Sequence, residues 1–135
     1  MYKKILVPVS FDESPDSNTS LEVAKVLADQ GAEVILLHVL EHVPEYARTY
    51  LPAGYLESSH NAIEEKIKQI ASEVPGGQGV VITGHSGTSI LEYADNIECD
   101  LIILASHRPG VSDYFLGSTA HHVVRHAKCA VHVVR

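Results

Sequence analysis

The sequence predicts an α/β fold: a single doubly wound, five-stranded parallel sheet of order 3-2-1-4-5 with helices on both faces. Short apolar runs recur along the chain, as expected for strands that are buried on both faces. Amphipathic helical patterns separate these runs, and glycine or proline marks the turns. At 135 residues, the chain is long enough for one domain, 1–135, with a substantial core.

The first predicted unit is a strand, a helix and a strand. Residues 4–9 form an apolar run, and Ser14 followed by Pro15 predicts a helix start, since serine caps helices and proline suits their first turn. Gly31 predicts the end of that helix. A second buried strand is expected at 34–40.

Residues 41–56 contain two prolines and three tyrosines, and they predict a long loop. Such a loop can serve as a lid or binding segment, or it can be a plain connection or partner contact. Beyond it, isoleucines at helical spacing predict a helix that the run 75–79 ends.

The remainder of the chain predicts three strands, at 80–83, 101–105 and 130–134. A helix follows Gly84, and another spans 117–127. Strands and helices therefore alternate to the end of the chain, which favours right-handed parallel crossovers.

Charge and hydropathy narrow the classes of function. Ten basic and seventeen acidic residues give a net charge of −7, which argues against nucleic acid or an anionic membrane as a partner. Met1 leads directly into a strand without a signal-peptide pattern, and no apolar run approaches the ~20 residues of a membrane span. We therefore expect a cytoplasmic protein.

Two cysteines, Cys99 and Cys129, form neither a CxxC motif nor a metal-ligand cluster. Each precedes a predicted strand, so we interpret both as small buried hydrophobic residues. If those strands are neighbours, the two sulfurs can lie close together, although a cytosol would keep them reduced.

The segment 101–119 carries the strongest functional pattern: a buried strand, a loop, and then Gly117, Ser118 and Thr119 at a helix start. A helix start exposes unpaired N–H groups and the positive end of the helix dipole, so it attracts anions. Parallel sheets bind ligands beyond the strands' carboxyl ends, where the strand order reverses. The loops 10–13 and 106–116 flank that point, and we expect a phosphate site there.

Four residues of these loops have two interpretations each. His107 can orient its loop or touch a phosphate, and Arg108 can pair with phosphate oxygens or remain solvated. Asp12 and Glu13 can hold Mg²⁺ through water, or they can simply favour the start of the first helix. The second interpretation of the acidic pair requires no ligand and is preferred.

Other motifs indicate little chemistry. No Walker A or GxGxxG motif is present, and the run 84–87 lacks the final glycine of a nucleophile elbow because Thr88 stands there. His122 and His126 can face one metal but have no evident third ligand, so exposed histidines are preferred. His38 lies inside the second predicted strand, so we expect it to be a hydrogen-bonded core histidine. Since no residue is clearly placed as a general base, we expect no enzyme, or at most slow hydrolysis.

Taken in order, these motifs resemble the universal stress protein family over nearly the whole chain. The similar segments are 5–10, 36–40, Gly84 with 90–94, 100–105, 116–118 and 123–135. The loop around His107 and Arg108 resembles the small bacterial F/G-type branch. The resemblance implies a homodimer, and the apolar edge strand Ala130–Val134 is where we expect pairing with a second chain.

The resemblance also implies a binding site for ATP or AMP. By resemblance, the strand ends border the adenosine, Gly84 and His107 flank the ribose and phosphates, and the start of the last helix binds the phosphates. The implied residues are Pro8, Val9, Ser10, Val39, Leu40, Gly84, Ala105, His107, Arg108, Gly117, Ser118 and Thr119.

The nucleotide-binding members have the pattern Gly-x-x-Gly, a spacer and then Gly-Ser or Gly-Thr, and an aspartate two residues after the proline of the first strand. Here Ala105 replaces the first glycine, the second glycine is lost, and Ser10 replaces the aspartate. Three hypotheses follow. The first is a stress-response protein that binds adenine nucleotide as a regulatory or sensing module, with Mg²⁺ where Asp12 and Glu13 hold it. The second is a nucleotide-free dimeric interaction module, and the third is an ATP-dependent enzyme on the same fold.

Overall fold

The computed structural model describes residues 1–11, 16–106 and 117–135. These residues form five strands and five helices, in the order β1 (Tyr2–Pro8), α1 (Asp16–Leu27), β2 (Ala28–Leu40), α2 (Glu45–Arg48), α3 (Tyr55–Ser72), β3 (Gly77–Thr83), α4 (Ser86–Ile97), β4 (Leu101–Ala105), α5 (Ser118–His126) and β5 (Ala130–Val134). None of the described helices is long and apolar enough to cross a membrane.

The five strands form one sheet of order β3-β2-β1-β4-β5, and the pairs between them are parallel. The predicted fold class and strand order are confirmed. The sheet order reverses between β1 and β4, because β1 pairs with β2 on one side and β4 on the other. The carboxyl ends of all five strands therefore meet at one edge, which we call the carboxyl edge, and their starts form the amino edge.

Two apolar clusters form the core, one on each face of the sheet. The α1 and α3 face includes Ile5, Leu36 and Ile67, each fully buried. The α4 and α5 face includes Ile102 and Val123, also fully buried. This two-sided burial explains the continuous apolar runs of the central strands.

The predicted helix end at Gly31 is wrong. The first helix ends at Leu27, and the second strand already begins at Ala28. The register jumps from Tyr2 opposite Ala28 to Lys4 opposite Glu33, which marks a bulge in β2. Gly31 has φ of 79° within that bulge. Glycine with a left-handed conformation is common both in β-bulges and at helix ends. A glycine in the sequence therefore does not by itself distinguish a bulge from a helix end.

Two further boundaries differ from the predictions. The segment 41–56 contains the short helix α2, and α3 begins inside it at Tyr55. The third strand begins at Gly77, three residues before the predicted start at 80, because residues 77–79 pair with β2 from Val34 onward. Backbone pairing does not require apolar side chains, so the pattern missed these residues.

Candidate functional site

The site predicted from the sequence lies at the carboxyl edge, where the strand order reverses. Its described part consists of the ends of β1, β2 and β4, the turn after β3 and the start of α5. The predicted residues His107 and Arg108, and the acidic pair Asp12 and Glu13, lie outside the described residues.

The start of α5 is held against the end of β4. The N–H of Gly117 donates to the carbonyl of Ser106 over 2.7 Å, and the N–H of Ser106 donates to the carbonyl of Val134 over 2.8 Å. Ser106 and Gly117 are therefore adjacent in space. These bonds hold the start of α5 at the carboxyl end of β4, the strand that pairs with β1.

The start of α5 has no capping side chain among the described residues. Gly117 precedes the helix in an extended conformation, and no described side chain hydrogen-bonds the helix start. Ser118 is exposed and Thr119 is half-buried. Uncapped N–H groups with two nearby hydroxyls are suited to hydrogen-bonding an anion such as phosphate.

A second helix start lies beside this one. The hydroxyl of Ser86, the first residue of α4, is 2.9 Å from the hydroxyl of Thr119. Within the described residues, Ser86 is thus paired with another hydroxyl and not with a histidine base, as a hydrolase nucleophile would require. The proximity brings the positive ends of two helix dipoles to one place.

The ends of β1 and β2 form the other wall of the crevice. Val9 is buried and its N–H donates to the carbonyl of Leu37 over 2.8 Å. The neighbouring residues of the candidate set, Pro8, Val39 and Leu40, are half-buried, and Ser10 is exposed. An apolar wall that grades into an exposed polar residue is suited to a flat, partly polar ligand.

His38 fixes this wall. Its Nδ1 is 2.8 Å from the carbonyl oxygen of Val9, so the ring links the ends of β1 and β2. The prediction of a hydrogen-bonded histidine is confirmed, although the side chain is half-buried rather than fully enclosed.

Sequence reasoning missed the aromatic contact around His38. The ring of Phe11 lies 4.9 Å from the His38 ring, centroid to centroid, and Lys66 Nζ lies 4.9 Å from the centre of the Phe11 ring. A lone phenylalanine directly after an apolar strand was the available signal. The lysine comes from α3, far along the chain, and no local pattern connects it to Phe11.

Gly84 allows a close approach, and the described neighbour is a side chain of the protein itself. Its N–H donates to the carbonyl of Leu40 over 2.9 Å. A Cβ at position 84 would lie 2.3 Å from the Ser89 hydroxyl. The glycine therefore lets α4 fold back against the turn after β3.

The two predicted histidines of α5 lie side by side on the helix. The rings of His122 and His126 are 4.7 Å apart at a tilt of 51°. His126 is exposed and His122 half-buried. Among the residues that the structure describes, no group of three or more His, Cys, Asp or Glu could hold a metal ion.

The comparison with known proteins gives one family. The model of the universal stress protein family matches residues 1–135. Universal stress protein A homolog 2 of Coxiella burnetii is 33% identical over 139 residues, with 99% of this chain and 95% of that protein covered. Universal stress protein G of Shigella flexneri is 28% identical, with both chains covered in full.

Solved structures agree with this relationship. Universal stress protein UspA from Lactobacillus plantarum is 27% identical, with a TM-score of 0.72, and 99% of this chain and 98% of that chain are covered. A hypothetical protein whose biochemical function was assigned from its structure is 28% identical, with a TM-score of 0.77, 99% of this chain and 96% of that one.

Two further solved structures contain nucleotides. A universal stress protein in complex with cAMP is 19% identical, with a TM-score of 0.71. The protein from Archaeoglobus fulgidus in complex with dAMP is 18% identical, with a TM-score of 0.66. At these identities the likeness shows the fold alone. The family match and the closer relatives carry the assignment: this chain belongs to the universal stress protein family.

Proposed function

We propose that this protein binds an adenine nucleotide, ATP or AMP, at the carboxyl edge and acts as a regulatory or sensing module of the stress response in the cytoplasm. The observation that carries the proposal is the start of α5, which no described side chain caps and which the hydrogen bond from Gly117 to Ser106 holds at the end of β4. Relatives of the same fold were crystallised with cAMP and dAMP, and both ligands combine adenine with a phosphate.

The described residues divide between the two ends of such a ligand. The half-buried side chains of Val39 and Leu40 would pack against the base, with Pro8, Val9 and Ser10 along the adenosine. Ser118 and Thr119 would hydrogen-bond the phosphates, and Gly117, whose N–H is held by the Ser106 carbonyl, would let a phosphate approach the backbone closely. In this proposal Ala105 and Gly84 line the space between, and His107 and Arg108 come from the adjoining loop.

A metal ion is a separate part of the proposal. Mg²⁺ commonly bridges protein carboxylates and phosphate oxygens. Asp12 and Glu13 are the carboxylates proposed to hold it through water. Because the proposed role is binding and not turnover, we expect nucleotide to remain intact over the time of a binding measurement.

Gly117→Val is a sharp test of the site. Among the described residues, a Cβ at position 117 would meet only the Ser106 carbonyl oxygen, at 3.5 Å, which is an ordinary contact. The added side chain would instead obstruct the helix start, where a phosphate would lie. We expect wild-type protein to bind ATP in calorimetry, and we expect Gly117→Val to bind at least ~10-fold more weakly, about 1.4 kcal/mol.

Thr88→Val is the matched control, because Thr88 is an exposed residue in the first turn of α4 and not of α5. Its ATP affinity should equal that of the wild type. Both variants should unfold at temperatures near the wild-type value without ligand. Absence of adenine nucleotide in the denatured wild-type protein, together with no calorimetric signal for ATP or AMP, would contradict the proposal.

The second candidate function is a nucleotide-free dimeric interaction module. It is favoured by Ala105 and Ser10, which depart from the nucleotide-binding pattern, and by the position of β5 at the edge of the sheet. Ala130 and His132 on this strand are exposed, so a second copy could pair with it. Sedimentation velocity would show a dimer at micromolar concentration, and a monomer at high micromolar concentration would exclude pairing of this kind.

A further inference from the structure

The two cysteines lie together at the amino edge of the sheet, opposite the proposed nucleotide site. Cys99 precedes β4 and Cys129 precedes β5, and these strands pair with Leu101 opposite Ala130. The sulfurs of Cys99 and Cys129 are 3.8 Å apart and unbridged. The sequence contains two cysteines, so this pair includes every thiol of the chain.

A cavity of about 260 Å³ opens beside both sulfurs. Cys99 is buried, and Cys129 is half-buried. Residues of α4, β4 and the segment after α5 contribute to the rest of the wall, and part of it is apolar: Leu91, Ala94, Ile102 and Ala127. Lys128 and Asp95, whose Nζ and Oδ2 atoms are 3.4 Å apart, line the same cavity. The cavity thus offers two thiols together with space for an organic group.

The sulfur separation indicates the geometry of a ligand that would bridge the thiols. A centre with two bonds to sulfur of ~2.3 Å, the length of a zinc–sulfur bond, holds the sulfurs roughly 3.4–3.8 Å apart at angles between about 95° and 109°. A linear centre with the same bonds would require ~4.6 Å. The observed 3.8 Å therefore favours a bent centre.

The number of available ligands excludes the commonest bent centre. Protein zinc sites use four protein ligands, or three with an open position. Over the described ranges, no third His, Cys, Asp or Glu is grouped with the two thiols to hold a metal ion. Trivalent arsenic is pyramidal, soft and satisfied by two thiolates and one further substituent, so it fits the ligand count. Its bond angle is narrower than tetrahedral, so binding would draw the two sulfurs closer together than the observed 3.8 Å.

We propose that Cys99 and Cys129 form a bidentate binding site for trivalent arsenic, as arsenous acid or as an organoarsenical with one carbon substituent. Each thiol forms one arsenic–sulfur bond as one arsenic–hydroxyl bond breaks, and the thiol proton leaves with that hydroxide as water. Two waters are released, and the oxidation states of arsenic and sulfur do not change. The third substituent occupies the cavity.

Phenylarsine oxide, which hydrates to two arsenic hydroxyls, is the probe for this site. Protein kept reduced with a phosphine should take up one phenylarsenic group per chain in intact mass spectrometry and lose both titratable thiols together. Excess 2,3-dimercaptopropanol should release the group, because it also offers two thiols. Uptake of two groups per chain, or loss of one thiol only, would overturn the bidentate site.

Cys129→Ser is the decisive variant, because its half-buried position tolerates a polar atom. We expect its affinity for phenylarsine oxide to fall more than ~100-fold. Loss of a group that only orients a metal ligand costs up to ~100-fold, and Cys129 would itself be a ligand. Cys99→Ser should behave alike if it folds. Val124→Ser, at an exposed position of α5, is the control and should bind as the wild type does. Unchanged affinity in Cys129→Ser would refute the proposal.

Discussion

Gly79→Ala is expected to destabilise the protein, although it adds a single methyl group to a strand at the edge of the sheet. A Cβ at position 79 would lie 2.9 Å from the carbonyl carbon and oxygen of Ile67 and from the N atom of Lys68. All three are backbone atoms of α3, so no side chain can rotate away. Helix α3 would have to retreat by about 0.5 Å to restore ordinary contact, at a cost of ~1–3 kcal/mol for overpacking.

The retreat would also loosen the core, because Ile67 is fully buried on that helix. For a domain of this size, each kcal/mol corresponds to about 4 °C in Tm. We therefore expect thermal unfolding followed by circular dichroism to show a Tm roughly 4–12 °C below wild type. Gln78→Ala, at the exposed neighbouring position, should stay within about 2 °C. Equal Tm values for the two variants would refute the steric argument.

Three further predictions concern the core, the amino edge and pH. Ile102→Ala, at a fully buried position, should lower the free energy of unfolding in urea by ~2–5 kcal/mol, and a loss under 1 kcal/mol would contradict the assigned core. The Asp100 carboxylate accepts the N–H groups of Lys3 and Lys4 at 2.9 and 3.0 Å, so Asp100→Ala should cost ~1–3 kcal/mol in the same assay. Burial, and then the neighbouring Cys129, raises the pKa of Cys99 to about 12. Between the usual thiol pKa of ~8.5 and about 12, the Cys99 thiol keeps its proton in the folded state but loses it in the unfolded state. The free energy of unfolding should therefore be highest below pH ~8.5 and should decline as the pH rises towards 12. Cys99→Ser should show a smaller decline in Tm between pH 8 and pH 11, and an equal decline would refute the shift.

The strands β4 and β5 could be predicted to the residue, and the reason is physical. Leu101–Ala105 is an apolar run that follows Asp100, and burial between two helix layers requires such a run. Ala130–Val134 is an edge strand in which apolar residues surround His132 and two positions are exposed. β3 differs, because Gly77 and Gly79 pair through their backbone and allow α3 to approach closely. Glycine has no side chain, so a hydrophobic pattern gives no strand signal at these two positions.

The candidate site also contains features that the sequence predicts and features that it does not. The start of α5 at Ser118 was predictable, since glycine followed by two hydroxyl residues is a local signal. The contact between Ser86 and Thr119 joins residues 33 positions apart, and the one between Phe11 and Lys66 links a strand end to a helix. These contacts depend on how the crossover helices pack against the sheet, which no local pattern encodes.

The direction of the helices explains why the two proposed sites differ in chemistry. Parallel strands joined by crossovers leave α4 and α5 with both N-termini at the carboxyl edge and both C-termini at the amino edge. The helix dipoles therefore favour an anion beside Ser86 and Ser118 and disfavour one beside Cys99 and Cys129. A phosphate suits the first place. At the second, thiols remain protonated, and a ligand that reacts with neutral thiols and releases water suits the site better than one that requires free thiolates.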